Sequence, residues 1–153
     1  MEDIVFLFSD RKVGVSKSVI NQRRKAHKEV IFKFNQASSG TKKQIFQHFK
    51  FLTRIALDYR EGELNYFVLK DGDKTYYADL HEIGSAYESM FAVLVELLWN
   101  ENDILLIDEP ELSLHTQMQK RLLQVLQKIS KQKNKQLFIA THSHLFLDRK
   151  RPS

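Results

Sequence analysis

Asp108 and Glu109 stand side by side at the end of an apolar run, Ile104 to Ile107, with Pro110 directly after them. A second apolar run, Gln136 to Ala140, ends in Thr141, His142 and Ser143. A buried strand gains nothing from two terminal carboxylates, whereas a site that handles a metal ion and a water needs them. One carboxylate can hold Mg²⁺ directly or through water. A second beside it can accept a proton from a water attacking a phosphate. A histidine facing the pair can touch a terminal phosphate and the attacking water, and so register whether that phosphate is present. Taken singly, an acidic pair after a strand also suits a loop or a helix start, and a lone histidine also suits a structural role. Their joint placement at the ends of two adjacent strands is what favours chemistry.

Gly84 and Ser85 lie immediately ahead of a long apolar stretch, "AYESMFAVLVELLW". Read as the start of a helix, they offer backbone N–H groups and a positive dipole end to an anion. Glycine there lets the anion come close, although Gly-Ser alone is also an ordinary turn.

The elements that must position these residues follow from periodicity. Ile4 to Phe8 reads as a short strand. Residues 17–36 are basic and weakly patterned, with helical character, and "NQASSG" after them reads as a loop. A capping box, Thr41 with Gln44, predicts a helix that carries Ile45, Phe49, Leu52 and Ala56 on one face. Aromatic and β-branched runs on either side of Asp71-Gly72 predict a hairpin over residues 65–80. A buried helix begins near Ser85, and Ile104–Asp108 is a buried strand. The segment "TQMQKRLLQVLQKISKQK" is an amphipathic helix, with Met118, Leu122, Val125, Leu126 and Ile129 on its apolar face. "QLFIA" reads as a second buried strand. Strand, helix, strand predicts a parallel βαβ unit. Ligands of open parallel sheets lie outside the carboxyl ends of the strands, where both polar groups fall.

The 153 residues suffice for one domain with a real core, and there are no internal repeats or low-complexity tracts. There is no cysteine, which excludes a disulfide framework and a thiolate zinc site. "MEDIVFLFSD" lacks the basic flank and length of a signal peptide, and Glu96 interrupts the apolar run "FAVLVELLW", so no membrane span is expected. A soluble cytoplasmic protein is the expectation. Charge is uneven: residues 1–60 carry 13 Lys/Arg against 5 Asp/Glu, and residues 61–153 carry 11 against 14. The basic excess peaks in "QRRKAHK", where Arg23, Arg24 and Lys25 form either a solvated helix face or a contact to a nucleic-acid backbone.

The succession "EIGSAYESM", "ILLIDEPELSLH" and "LFIATHSHLF" resembles the C-terminal half of ABC-type AAA-family ATPase heads, and among them the OLD-like and SMC-related ones. The resemblance covers roughly residues 41–147. It implies an α/β chain with a partial P-loop NTPase (ABC-ATPase-like) fold: parallel core strands, crossover helices and a β-hairpin. Residues 1–40 would be a basic upstream segment, and residues 41–153 the C-terminal part of the ATPase domain. The resemblance further implies ATP and Mg²⁺ as ligands. Asp108 would be the Walker B aspartate serving the metal, Glu109 the catalytic base and His142 the switch histidine. Ser113, Leu114 and His115 would form the D-loop at a dimer contact. Gly84 and Ser85 would be the signature motif facing a phosphate held by the other subunit. Where such proteins have a second glycine, this chain has Ala86, whose methyl crowds a phosphate approaching the backbone.

A phosphate loop requires G-x-x-x-x-G-K-[ST]. "RKVGVSKS", Arg11 to Ser18, keeps Lys17-Ser18 but has Arg11 and Ser16 at the two glycine positions, and so reads as a basic loop. The spacing favours a phosphate loop far upstream or on another chain. The expected function is therefore ATP binding and hydrolysis as part of an ATPase head, in a homodimer or with a P-loop-bearing partner polypeptide. The alternative is a non-hydrolysing assembly module or a nucleic-acid-binding module.

Overall fold

The structure, a computed structural model, describes residues 4–7, 28–60, 66–79, 82–99 and 104–147. Arg11–Ser18 and the basic residues Arg23, Arg24 and Lys25 lie outside the described residues. In chain order the elements are β1 (Ile4–Leu7), α1 (described over residues 28–36), α2 (Ser39–Thr53), β2 (Ala56–Arg60), β3 (Tyr66–Asp71) and β4 (Lys74–Ala78). They continue with α3 (Ser85–Leu98), β5 (Ile104–Asp108), α4 (Thr116–Lys133), β6 (Gln136–Ala140) and α5 (His144–Leu147).

The βαβ unit forms as its pattern dictates. Met118, Leu122, Val125, Leu126 and Ile129 of α4 are all buried, one stripe at helical spacing. Asn134 closes the helix in the left-handed region at φ 53°, and Lys131 and Lys133 sit in the last turn, where the dipole favours cations. β5 and β6 pair in parallel, Ile104 with Gln136 through Asp108 with Ala140, and β1 pairs in parallel on the other side of β5. The central strand buries Leu105 and Ile107 on one face. β6 is an edge strand: none of its residues is buried and Phe138 is 55% exposed. The expectation of a second buried strand therefore fails there, because among the described residues β6 has a neighbour on one side only.

β2, β3 and β4 form a separate antiparallel meander. Its hairpin turns at Gly72-Asp73, one residue later than expected, because Asp71 still pairs with Lys74. Gly72 takes φ 57° and Asp73 a negative φ, the pattern of a two-residue II′ turn. The predicted helix after Thr41 also shifts. Ser38 is the N-cap and accepts from the Thr41 N–H at 3.1 Å, so "ASSG" is cap and first turn rather than loop. Arg54 then ends α2 at φ 66°, and Ala56 opens β2 instead of extending the helix.

α3 is apolar nearly all round and runs through the centre of the core. Phe91 of α3 meets Phe34 of α1 at 5.2 Å and Phe67 of β3 at 5.0 Å, which ties the helices to the meander. Such aromatic pairs add about 0.5–1.5 kcal/mol each beyond area burial. Arg121 of α4 donates to the Leu52 carbonyl at the end of α2 at 2.7 Å, a cation on a helix C-terminus. A charge enters this core at Glu96 of α3, 3% exposed, which receives two hydrogen bonds from the Lys33 ammonium, at 2.8 and 2.9 Å. Among the described residues no helix is long and apolar enough to cross a membrane.

Candidate functional site

Parallel pairing brings the carboxyl ends of β5 and β6 level, with Asp108 opposite Ala140. Asp108 is exposed, the last residue of its strand. Directly after it the chain turns hard. Glu109 adopts φ 46°, a left-handed conformation that costs a non-glycine residue about 1–2 kcal/mol. Its N–H bonds to the Ala140 carbonyl at 2.7 Å, and that tie to β6 holds the turn. The residue is 4% exposed, yet its Oε1 lies 3.1 Å from Nε2 of His142. His142 projects outward with its side chain 84% exposed. A buried carboxylate in a strained backbone, facing an exposed histidine from the next strand, is an arrangement the core does not require.

Glu111 organises the same rim, and no motif in the chain singled it out. Its Oε1 accepts from the Thr141 hydroxyl at 2.7 Å, the His142 N–H at 2.8 Å and the Ser143 N–H at 3.1 Å. Its Oε2 is buried without a hydrogen-bond partner. Burial pushes the Glu111 carboxyl up, but hydrogen bonds from Thr141, its own backbone, His142 and Ser143 outweigh it and hold the group below its ordinary value. A depressed carboxyl contributes stability above the unfolded pKa, and that contribution is lost as pH falls through the folded one. Acid is therefore expected to loosen the Thr141–Ser143 segment below the usual carboxylate range. Amide exchange at His142 followed against pH checks this; Glu111→Gln is expected to flatten that response, and an unchanged profile would contradict it.

The turn between β5 and α4 is built by local bonds. The Leu112 N–H bonds to the Glu109 carbonyl and the Leu114 N–H to that of Glu111, at 3.1 and 3.0 Å. Ser113 is exposed at φ 65°, Leu114 is buried as the anchor, and His115 caps α4, its Nδ1 accepting from the Met118 N–H at 3.4 Å. Gln119 bridges the two strand ends, donating to the Leu114 carbonyl at 2.9 Å and accepting from the Ser143 hydroxyl at 2.7 Å. A cavity of about 400 Å³ opens here, with Glu109, Glu111, Gln119, His142, Ser143 and His144 in its wall. A groove of similar size, about 440 Å³, lies between α2 and β2 among Lys42, Lys43, Phe46 and Lys50. The rim is the stronger candidate, because carboxylates and a histidine converge only on it among these two.

The structure thus brings Glu109 and His142 together, with Thr141 tied to the same cluster. Asp108, Ser113 and His115 belong to the same rim or its turn but do not line the cavity. Gly84 and Ser85 do not line it either. Gly84 precedes α3 at φ 101° and makes no side-chain cap, which leaves the helix start open. A Cβ there would meet nothing nearer than Tyr87 Cδ2 at 3.8 Å, so only the backbone angle opposes substitution. Gly84→Ala is expected to cost about 1–3 kcal/mol in urea unfolding; no measurable cost would show that the turn relaxes.

Among the described residues no group of three or more His, Asp or Glu side chains is arranged to hold a metal ion. Mg²⁺ needs no such cage, since it keeps several waters and takes one or two carboxylates plus substrate phosphates. An exposed carboxylate at a strand end beside an open cavity suits that mode, and Asp108 is one.

A parallel sheet with a crossover helix is the α/β arrangement whose ligands lie at the carboxyl edge of the strands, where this acidic rim stands. Residues 9–147 match the family model of the AAA ATPase domain, and the chain belongs to that family. The family is one of ATPase domains, and it implies a nucleotide and, as a rule, Mg²⁺. Among solved structures the chain is similar to the Smc head domain with an extended coiled coil, bound to the C-terminal domain of ScpA, from Pyrococcus furiosus. The TM-score is 0.58 at 16% sequence identity, over 86% of this chain and 35% of that one. The fold is that of part of the Smc head domain, a partial P-loop NTPase fold, and the chain spans about a third of that neighbour's length. No curated protein matches the chain.

Proposed function

We propose that the β5–β6 rim is the acidic and histidine side of an ATP-hydrolysis site. The observation that carries this reading is the buried, left-handed Glu109 held 3.1 Å from His142 across two parallel strands. Asp108 would hold Mg²⁺, which when bound neutralises phosphate charge. Glu109 would take the proton of the attacking water, its carboxylate kept in place by the Glu109 N–H bond to β6. His142 would contact the terminal phosphate from its exposed position. Gly84 and Ser85, at an open helix start away from this cavity, suit a phosphate bound by a second subunit, and the turn at Ser113–His115 suits the contact between the two. The sequence pattern "DEPELSLH" supports an OLD-like relationship, and by analogy of fold a role in DNA maintenance or phage defence.

Because "RKVGVSKS" has Arg11 and Ser16 in place of the two glycines, the phosphate loop would come from a P-loop-bearing partner or from sequence beyond this chain. The same observation favours a second reading, a non-hydrolysing module that completes another polypeptide's site. Calorimetric titration of the chain with ATP and Mg²⁺, beside Asp108→Ala, separates them. Heat of binding in the wild type that falls at least about tenfold in affinity in Asp108→Ala supports a site in which this chain holds the metal. Equal binding by both proteins would remove Asp108 from the site. No binding by the folded chain would favour the second reading.

A further inference from the structure

We propose that Glu111 is a positioning residue that holds His142 in its place opposite Glu109; in its effect on turnover, the proposal rests on the hydrolytic reading of the rim. Three observations converge. A single carboxylate oxygen collects three donors from consecutive residues, Thr141, His142 and Ser143, on a segment about 30 residues downstream. The segment they belong to leaves β6 without regular structure and becomes α5 only at His144. And the His142 side chain, 84% exposed, faces Glu109, with Nε2 3.1 Å from Oε1.

An exposed imidazole on an irregular segment has no packing to fix its rotamer. What is fixed is its backbone, through the His142 N–H bonded to Glu111 and the Glu109 N–H bonded to Ala140. Glu111 therefore acts on the histidine through the main chain, joining the turn after β5 to the end of β6. The Ser143 hydroxyl, bonded to Gln119 on α4, ties the far side of the segment. A carboxylate is suited to this task because charge-assisted bonds to N–H and O–H donors are short and about twice as strong as neutral ones. A purely structural cap of α5 would need only the Ser143 N–H; the bonds to Thr141 and to the His142 N–H lie outside that role.

The test measures amide hydrogen exchange and ATP turnover on the full chain carrying Glu111→Ala, Glu111→Gln, His142→Ala, or Glu111→Ala with His142→Ala. In Glu111→Ala, exchange at His142 and Ser143 is expected to quicken at least about tenfold, with α4 amides unchanged as the folding control. Glu111→Gln keeps an acceptor oxygen but loses the charge, and is expected to fall between wild type and Glu111→Ala. Turnover in Glu111→Ala is expected to fall to the level of His142→Ala with KM for ATP nearly constant, and the double variant to be no slower than His142→Ala alone. Unmoved exchange at His142 and Ser143, or a wild-type rate in Glu111→Ala while His142→Ala is impaired, would overturn the proposal. Normal hydrolysis by both His142→Ala and Glu109→Gln would instead overturn the hydrolytic reading, and with it the part of Glu111 in turnover. Exchange tells the two failures apart. If the wild-type chain releases no phosphate, the exchange measurement alone decides, and unmoved amides overturn the proposal.

Discussion

Replacing Glu109 by Gln is expected to lower phosphate release from ATP by about 10²–10⁴-fold, the usual contribution of a general base. The substitution keeps the size of the side chain and an oxygen acceptor for His142, at 3.1 Å in the wild type. It also keeps a non-glycine residue at φ 46°, so the backbone strain is the same before and after. What it removes is the charge that draws a proton from water. Thermal stability should therefore stay within about 2 °C of wild type, and ATP-bound association, where it occurs, should last longer. Steady-state phosphate release beside a thermal melt checks both halves. Hydrolysis at the wild-type rate would mean that another group takes the proton.

Lys33→Ala is expected to destabilise the fold by about 3 kcal/mol. The Lys33 ammonium gives Glu96 two bonds, at 2.9 and 2.8 Å, with side-chain exposures of 21% and 4%. Glu96 sits on α3 among Val93, Leu94, Val95, Leu97 and Leu98, where an ionised carboxylate has been taken out of water. Removing the cation takes this ion pair from the buried carboxylate. Exchanging both residues together, as Lys33→Met with Glu96→Leu, is expected to be close to neutral, because the desolvation cost disappears with the attraction. Urea unfolding of the two variants tests the argument; a cost below about 1 kcal/mol for Lys33→Ala would show that water reaches Glu96.

This pair also marks where sequence reading stops. Glu96 reads as an interruption in an apolar run, and nothing local says that Lys33, 63 positions earlier, answers it. The same holds for Glu111, whose three donors lie 30 to 32 positions downstream. Local rules succeeded where local physics decides: the stripe from Met118 to Ile129, the Ile104–Asp108 strand and the helix start at Ser85 lie where periodicity puts them. They slipped where two local signals compete. Ser38 and Thr41 are both good caps, and only the backbone chooses the former. Ile55 to Tyr59 continues a helical pattern as readily as it opens a strand, and pairing with β3 settles it as β2. The exposure of Phe138 depends on what lies beside β6, which no periodicity records. At the rim, the types and order of Asp108, Glu109 and His142 were legible; the left-handed turn and the Glu111 brace were not.

In the proposed site, Asp108 and its neighbours handle a metal–nucleotide complex. The most direct measurement is an NMR titration of the chain with ATP and Mn²⁺, which broadens amides close to the bound ion even when binding is weak. Broadening is expected to centre on Asp108 and Glu109, to spread to Thr141 and His142 and to be absent in Asp108→Ala. Broadening that ignores this rim, or persists unchanged in Asp108→Ala, would contradict it.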